Sequence, residues 1–334
     1  MVAIARGSLG IELTDPELAD SVRGGLDQVE DGLRSAVLNA DEFVTEAARH
    51  LVDAGGKRFR PLLTLLAAHF GDPCAPGVIS SAVVVELTHL ATLYHDDVMD
   101  EADVRRGAAS ANARWSNTVA ILTGDYLFAR ASDIVADLGP AAVRIQARTF
   151  SRLVIGQISE TVGPVGEIDP ITHYLHVVAE KTGSLIATCG RFGAMFSGCP
   201  EHVVQTLTAY GETIGVAFQL SDDLLDIVSS SAESGKTPGT DLREGVPTLP
   251  VLHALASADP AEERLRQLVS KPLTDEDAVA EALYLLRRAP AMERARATLV
   301  SYASQARSLL TSLPDLPARD SLAALADYVV ERTG

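Results

Sequence analysis

Apolar residues recur at helical spacing along nearly the whole chain after residue 13, and no stretch alternates like a half-buried strand. Thr14 followed by Glu17 has the form of a capping box, which predicts a first helix from this point to about Leu38. A long, buried helix is predicted from Val78 to Asp100. Further helices are predicted over 113–138, 141–162, 170–197, 201–229, 247–256, 260–270, 274–288, 290–312 and 318–332. The fold class is therefore predicted to be all-α, with more than ten helices.

No change in composition and no low-complexity linker divides the chain. Residues 229–250 are dominated by Ser, Gly, Pro and charged residues, and helices are predicted on both sides of them. We therefore interpret this stretch as a functional loop within one domain. Residues 1–13 are predicted to form an N-terminal arm, and residues 14–334 a single all-helical domain.

The chain is strongly acidic, with 28 Lys and Arg residues against 45 Asp and Glu residues and a net charge of −17. This charge repels nucleic acid and anionic membrane surfaces, so neither is expected as a partner. The three cysteines (Cys74, Cys189 and Cys199) form no CxxC pair, which suits a reducing compartment. No signal peptide is recognisable, and no apolar run approaches the ~18 residues of a transmembrane helix. A cytoplasmic protein without a transmembrane segment is predicted.

Two DDxxD motifs follow apolar stretches, the first at residues 96–100 and the second at residues 222–226. On a helix, the first and last aspartates of such a motif share one face. An acidic helix turn facing water is the alternative interpretation, but two copies after buried-looking helices favour bound cations. Hard carboxylate oxygens favour Mg²⁺, which bridges a few carboxylates to phosphate oxygens. Two such helices facing each other would form a cage for a metal-bound diphosphate.

An anionic substrate of so acidic a protein needs local cations, and several accompany the motifs. They are Lys57, Arg58, Arg60, His89, Arg105, Arg106, Lys181 and Lys236. Each alone is more typical of a surface charge, but their association with the aspartate motifs indicates phosphate ligands. Because the cations form two separated groups, we expect two diphosphates, one held through metal ions and one held directly by side chains.

Taken together, these motifs resemble the trans-isoprenyl (polyprenyl) diphosphate synthase family, in particular the long-chain type of actinobacterial polyprenyl synthetases. The resemblance covers roughly residues 45–250 and is carried by 56–61, 86–107, 124–127, 181–183, 218–226 and 235–241. It implies an isoprenoid synthase bundle around a central catalytic cavity, and a homodimer. The activity it implies is Mg²⁺-dependent condensation of isopentenyl diphosphate onto an allylic diphosphate, such as farnesyl or geranylgeranyl diphosphate, to give an all-trans product.

The resemblance also implies a role for each matching residue. Three Mg²⁺ ions that bridge the allylic diphosphate would be bound by Asp96, Asp100 and Asp222, with Asp97, Asp223 and Asp226 in support. The allylic diphosphate, or the cation that develops beside it, would be held by Arg105, Lys181, Thr182, Gln219 and Lys236. The diphosphate of isopentenyl diphosphate would be held by Lys57, Arg60, His89 and Arg106.

One departure from the family pattern lies in the loop after the second motif. Val246 occupies a position where similar enzymes often carry lysine, so a second loop cation is missing. Either Lys236 is sufficient, or Arg243 substitutes for the missing lysine.

Product length is expected to depend on Ala91, five residues before the first aspartate, where family members with short products carry an aromatic residue. Without a plug there, we predict a long product of about C30 or more, as an open apolar tunnel would allow. In the alternative interpretation, Ala91 is a helix-packing residue, and Phe128, Phe150 or another residue stops growth at a geranylgeranyl (C20) product.

Three rival interpretations agree less well with the sequence. A synthase-like subunit without activity is disfavoured by the intact aspartates of both motifs. A terpene cyclase needs no second diphosphate site, and Lys57, Arg60, His89 and Arg106 argue against it. A non-enzymatic helical scaffold leaves the acidic and basic clusters unexplained.

Overall fold

The computed structural model describes residues 2–3, 12–228 and 238–333, and most of these residues are helical. The helices of the first half are α1 (Pro16–Ala36), α2 (Glu42–Asp53), α3 (Phe59–Ala68), α4 (Gly77–Met99), α5 (Ala111–Arg114), α6 (Asn117–Asp137) and α7 (Pro140–Val162). Those of the second half are α8 (Pro170–Val178), α9 (Ser184–Phe196), α10 (Glu201–Val228), α11 (Thr240–Glu244), α12 (Leu249–Leu255), α13 (Glu263–Val269), α14 (Glu276–Leu286), α15 (Pro290–Leu310) and α16 (Pro317–Glu331). The predicted all-α class with more than ten helices is confirmed.

Two antiparallel pairs of two-residue strands accompany the helices. Strand β1 (Val2–Ala3) pairs with β2 (Glu12–Leu13), and β3 (Val104–Arg105) pairs with β4 (Ala108–Ala109). Strands this short contain no full alternation of side chains, so sequence periodicity could not indicate them.

The start of α1 differs from the predicted capping box by one residue. Asp15, and not Thr14, is the N-cap, and its carboxylate accepts a hydrogen bond of 2.8 Å from the Leu18 N–H. Pro16 explains the difference. Its ring fixes φ at a helical value and it has no N–H to satisfy, so it takes the first helical position and leaves the cap to the residue before it.

The chain divides into two compact units. Unit 1 contains Met1–Ser151, Leu185–Gly211 and Leu310–Leu322, and unit 2 contains Arg152–Ser184, Glu212–Leu309 and Ala323–Gly334. The first DDxxD motif lies in unit 1 and the second in unit 2. The single domain expected over residues 14–334 stays a prediction.

Unit 1 is organised around α4, which packs against α1, α3 and most extensively α6. The buried Tyr94 fixes the C-terminal part of α4, because its hydroxyl donates to the Ala47 carbonyl (2.6 Å) and accepts from the Leu51 N–H (3.2 Å). Both partners belong to α2. The first DDxxD motif, which ends α4, therefore sits on a rigid, packed support.

Helix α4 is also long and apolar enough, by length and composition alone, to cross a membrane. The apolar runs of the sequence did not predict this. In the structure, 67% of the 18-residue apolar stretch of α4 is buried inside the protein, as in a core helix of a globular fold.

In unit 2, a five-residue π-helical turn, Ala179–Gly183, connects α8 to α9. Such turns are rare in proteins, and those that occur are often at functional sites. Gly156 of α7 lies so close to the turn that a Cβ atom there would be 2.8 Å from the backbone nitrogen of Lys181. Arg152 of α7 binds Glu180 of the same turn at 2.7 Å. These contacts fix the backbone that carries Lys181 and Thr182.

Part of the predicted 229–250 loop is helical, which corrects the sequence interpretation. Residues 240–244 form α11, which Gly239 (φ 79°) and Gly245 (φ 76°) bound at its two ends. These glycines permit the left-handed conformation, which lets so short a helix begin and end abruptly. Residues 229–237, including Lys236, lie outside the described residues.

The approach of α9 to α3 makes a testable stability prediction. A Cβ atom on Gly193 would lie well inside van der Waals distance of the Thr64 carbonyl oxygen and 2.8 Å from the Ala67 Cβ. Gly193→Ala is therefore expected to lower the free energy of unfolding by about 1–3 kcal/mol, the usual cost of overpacking. Urea denaturation followed by circular dichroism measures this difference.

Gly24→Ala in α1 is the matched control, because a Cβ atom there meets nothing within 4 Å. This control is expected to gain up to about 1 kcal/mol from the better helix propensity of alanine. Equal stability of the Gly193→Ala and Gly24→Ala variants would contradict the close approach of the two helices.

Candidate active site

The first DDxxD motif occupies the last turn of α4 and its C-cap. The Asp100 N–H donates to the Asp96 carbonyl at 2.8 Å, so both residues lie on one face of the helical turn. Asp96 is half-buried and Asp100 is exposed. Asp97 is fully buried, and its Oδ1 accepts a hydrogen bond of 2.5 Å from the Arg105 Nε. The Asp97 Oδ2 is buried without a hydrogen-bond partner.

A tight hairpin turn brings Arg105 and Arg106 back beside the motif. Arg106 (φ 54°) and Gly107 (φ 77°) both adopt the left-handed conformation between strands β3 and β4. The Arg106 guanidinium donates to the carbonyls of Leu51 (3.1 Å) and Gly55. The two arginines therefore have different partners. Arg105 binds the motif itself, and Arg106 binds backbone carbonyls at the end of α2 and in the segment before α3.

The segment before α3 also contains Arg58, which has a structural role. Its buried guanidinium binds Glu86 at 3.0 Å and Glu30, and its backbone is left-handed (φ 47°). The expected substrate ligands on either side differ in burial, since Lys57 is exposed and Arg60 is half-buried. Of the three cations in this stretch, the buried one is therefore committed to the core.

The pKa of His89 lies well below its ordinary value, because desolvation disfavours its charged form and Arg60, Arg106, Arg105 and Arg58 repel a further positive charge. His89 is therefore neutral near neutral pH. A neutral imidazole can donate one hydrogen bond and adds no charge to an already cationic group of side chains.

This depressed pKa has a consequence for stability. The unfolded chain protonates His89 below about pH 6.5, whereas the folded state resists protonation, so folding loses stability as pH falls below that value. The cost grows by up to about 1.4 kcal/mol per pH unit until the folded-state pKa is reached. His89→Gln is expected to lose less stability than the wild type between pH 7 and pH 5. Urea denaturation at both pH values measures this, and equal losses would contradict it.

In unit 2, the second DDxxD motif ends α10, and each aspartate has a different partner. Asp222 is 44% exposed and forms an ion pair of 2.8 Å with Arg332. Asp223 is buried and accepts hydrogen bonds from the Gln219 Nε2 (2.9 Å) and the Tyr174 hydroxyl. The Asp226 carboxylate accepts from the backbone N–H groups of residues 240 and 241, at 3.1 and 3.2 Å, and so caps α11.

The structure brings three of the expected unit 2 residues into one chain of hydrogen bonds. The Thr182 hydroxyl donates to the Gln219 Oε1 at 3.2 Å, and the Gln219 Nε2 donates to Asp223. Lys181, next to Thr182 in the π-helical turn, forms an ion pair of 2.6 Å with Glu160. Gln219 therefore links the π-helical turn to the second motif.

Burial raises the pKa of Asp223 to about 7, with the charges of Asp222 and Asp226 adding to the effect, while the donors Tyr174 and Gln219 oppose it. Burial and the two acidic neighbours therefore disfavour the ionised form of Asp223. A cation bound nearby would favour that form.

The suggestion that Arg243 replaces the missing loop lysine finds little support in its contacts. Its guanidinium forms two hydrogen bonds with Glu276, of 2.9 and 2.7 Å, and a third of 2.7 Å with the Pro238 carbonyl. With most of its donors engaged, Arg243 fixes α11 to α14.

Both motifs offer oxygen donors suited to a hard divalent cation. The unpartnered Asp97 oxygen fits such an ion, and so does Asp223, whose ionised form a nearby cation would favour. Among the described residues, no group of three or more His, Cys, Asp or Glu side chains could by itself hold a metal ion.

Sequence reasoning missed Arg332, Tyr174 and Glu86. Tyr174 and Arg332 contact the second motif from positions distant in sequence, and neither lies in a recognisable motif. Glu86 lies within the family-like stretch 86–107 and is the buried partner of Arg58. A buried acid within an apolar helical run was the one available signal, since such a charge requires a partner.

Comparison with known proteins gives consistent matches. The sequence model of the Polyprenyl synthetase family matches residues 41–286. The chain is 54% identical to a nonaprenyl diphosphate synthase of Mycobacterium tuberculosis over 97% of each chain.

Two solved structures are similar in fold. A geranylgeranyl pyrophosphate synthase from Corynebacterium glutamicum, complexed with calcium and isoprenyl diphosphate, matches with a TM-score of 0.88 and 46% identity, over 97% of this chain and 100% of that one. A decaprenyl diphosphate synthase from Rhodobacter capsulatus matches with a TM-score of 0.86 and 36% identity, over 95% and 99%.

Proposed function

This chain belongs to the polyprenyl synthetase family, and we propose that it is a cytoplasmic, homodimeric long-chain trans-polyprenyl diphosphate synthase. It condenses isopentenyl diphosphate head-to-tail onto an allylic diphosphate, farnesyl or geranylgeranyl diphosphate, and depends on three Mg²⁺ ions. The product is an all-trans chain of about C30 or more, for which an apolar tunnel is needed.

The observation that carries this proposal is the similarity to the nonaprenyl diphosphate synthase over 97% of the chain, with every aspartate of both motifs present. Intact motifs argue against an inactive subunit. Calcium and isoprenyl diphosphate in the similar Corynebacterium structure support a divalent metal and this substrate class.

The proposed metal ligands are Asp96 and Asp100 in unit 1 and Asp222 in unit 2. When bound, Mg²⁺ supplies positive charge that stabilises the diphosphate as it leaves. The buried Asp97 and Asp223 support their neighbours, Asp97 through Arg105 and Asp223 through Gln219. Asp226 holds α11 in place.

Reaction begins when the carbon–oxygen bond of the allylic diphosphate breaks, leaving a delocalised allylic cation and a diphosphate anion. Arg105, Lys181 and Lys236 are proposed to hold the anion as its charge develops. Of these, Arg105 is oriented in advance by its hydrogen bond to Asp97, and a preoriented donor lowers the barrier. Thr182 and Gln219 present their hydroxyl and amide oxygens, which can stabilise the carbon cation. A fixed hydrogen bond between them (3.2 Å) keeps both side chains in position.

The isopentenyl double bond then attacks the cation, for which the two reacting carbons must be held within about 3–3.5 Å. Lys57, Arg60 and Arg106 are proposed to bind the isopentenyl diphosphate, with the neutral His89 as an uncharged donor. Loss of a proton, for which the departed diphosphate is the proposed acceptor, restores the alkene.

The homodimer is supported by an apolar face on α7. Ile155, Ile158 and Val162, at helical spacing, are 49%, 57% and 65% exposed. A contiguous exposed apolar face of this kind is typical of a protein–protein interface, and a second copy of the chain is the proposed occupant.

The test of the reaction type is whether diphosphate release requires both substrates. Purified protein with Mg²⁺ is expected to release diphosphate from farnesyl diphosphate only when isopentenyl diphosphate is also present, because condensation consumes both. Equal release from the allylic substrate alone would indicate a terpene cyclase and contradict the proposal.

A further inference from the structure

Arg332, which follows the last turn of α16, makes a set of contacts with α10 that the proposed reaction does not yet use. Its Nη2 lies 2.8 Å from the Asp222 Oδ1 and 2.9 Å from the Phe218 carbonyl oxygen, and its Nε donates to the Ser221 Oγ at 2.7 Å. The guanidinium also stacks on the Phe218 ring at 4.3 Å. Phe218 and Asp222 are one helical turn apart on the same face of α10, so a single guanidinium can contact both residues.

The geometry of this contact is fixed from several sides. The Arg332 side chain is only 8% exposed, whereas Asp222 is 44% exposed. The Arg332 N–H donates to the Tyr328 carbonyl at 3.1 Å, and the next residue, Thr333, is held through its carbonyl by Arg296 at 2.8 Å. An arginine held this firmly loses little further conformational entropy when it orients a partner.

One donor of the guanidinium has no partner. The Arg332 Nη1 is buried without a hydrogen bond, although Nε and Nη2 are both engaged. A buried, unpaired donor of a charged group is costly, and most buried polar groups in native proteins have a hydrogen-bond partner. Beside a carboxylate proposed to bind a metal–diphosphate complex, the complementary partner is an anionic oxygen.

We propose that Arg332 is a positioning residue for Asp222, an inference that rests on the proposed function. It holds Oδ1 of the carboxylate and leaves Oδ2 for the divalent cation, so that Asp222 is already oriented before the metal–diphosphate complex binds. Hydrogen bonds to a ligating carboxylate typically strengthen metal binding about 10–100-fold, and this contact is of that type.

Two other roles for Arg332, anchoring the C-terminus and neutralising Asp222, predict different results from the positioning role. If Arg332 only anchored the C-terminus, its loss would lower stability without changing metal affinity. If it only neutralised Asp222, its loss would strengthen cation binding, because a competing positive charge is removed. The positioning role alone predicts weaker metal binding at unchanged fold.

The experiment measures Mn²⁺ binding by electron paramagnetic resonance in the presence of inorganic pyrophosphate, for the full chain. Arg332→Met is expected to raise the Mn²⁺ concentration for half-saturation about 10–100-fold. Arg332→Lys keeps the charge but cannot reach Asp222, Ser221 and the Phe218 carbonyl together, so an intermediate value is expected. In prenyl transfer, the Met variant is expected to regain turnover at high Mg²⁺.

Arg296→Met is the matched control. It removes the same charge and the hydrogen bond that holds the Thr333 carbonyl, but it leaves the ion pair between Arg332 and Asp222 in place. It is expected to bind Mn²⁺ like the wild type. Unchanged or tighter Mn²⁺ binding by a folded Arg332→Met protein would overturn the inference, as would equal weakening in Arg296→Met. Failure of the wild type to condense the two substrates would instead overturn the proposed function, so the two failures are distinguishable.

Discussion

Asp96→Ala is expected to lower kcat/KM for prenyl transfer about 100- to 1,000-fold while the protein remains folded. Asp96 is a half-buried residue of the last turn of α4, on the same face as Asp100, and the substitution removes one proposed ligand of the metal–diphosphate complex. Because Asp96 is only half-buried and alanine keeps its Cβ, the free energy of unfolding is expected to change by no more than about 1 kcal/mol. Steady-state kinetics and thermal unfolding measure the two quantities.

Asp20→Ala is the matched control for this prediction. It removes the same charge from an exposed aspartate of unit 1, whose surface ion pair with Arg23 (2.7 Å) contributes little. Its kcat/KM is expected to equal that of the wild type. Activity of Asp96→Ala within threefold of the wild type would exclude Asp96 as a ligand that matters in the transition state.

Ala91→Tyr is expected to shift the products from long chains to short ones, with a loss of unfolding free energy of about 1–3 kcal/mol. Ala91 is 1% exposed and belongs to the core cluster around α4, against which Phe128 also packs. A tyrosine must therefore displace neighbours or enter the space that the growing chain would use. Chromatography of the dephosphorylated products measures the shift.

Ala48→Phe separates the blocking effect from overpacking, because Ala48 lies in the same core cluster but on α2. It is expected to lose similar stability and keep the wild-type product length. If Ala91→Tyr also kept that length, Ala91 would be an ordinary packing residue. The stacked pair Phe128–Phe150, with ring centroids 4.0 Å apart, would then be the candidate stop.

The helical framework was accessible from the sequence because apolar periodicity is a local property. The predicted helix 78–100 corresponds to Gly77–Met99, and the predicted helix 201–229 to Glu201–Val228, so both motifs were placed at helix ends. The errors arose where a single residue or a distant contact decides the backbone. Pro16 moved the first cap, and α11 depends on two left-handed glycines and on capping by Asp226.

The site was less accessible than the fold, since a motif identifies residues but not their partners. The carboxylates and most cations could be named from their types and spacing. The pairing of Arg332 with Asp222, and that of Tyr174 with Asp223, joins residues far apart in the chain. Nothing local in the sequence encodes such pairs. Arg58 was grouped with Lys57 and Arg60, and only burial shows that it serves the core.

The central claim is tested most directly by sizing the products formed from farnesyl diphosphate and labelled isopentenyl diphosphate with Mg²⁺. We expect dephosphorylated products of about C30 or longer, as an open apolar tunnel permits, and no product when EDTA removes the metal. Products that stop at geranylgeranyl (C20), or the absence of any condensation, would contradict the assignment as a long-chain synthase.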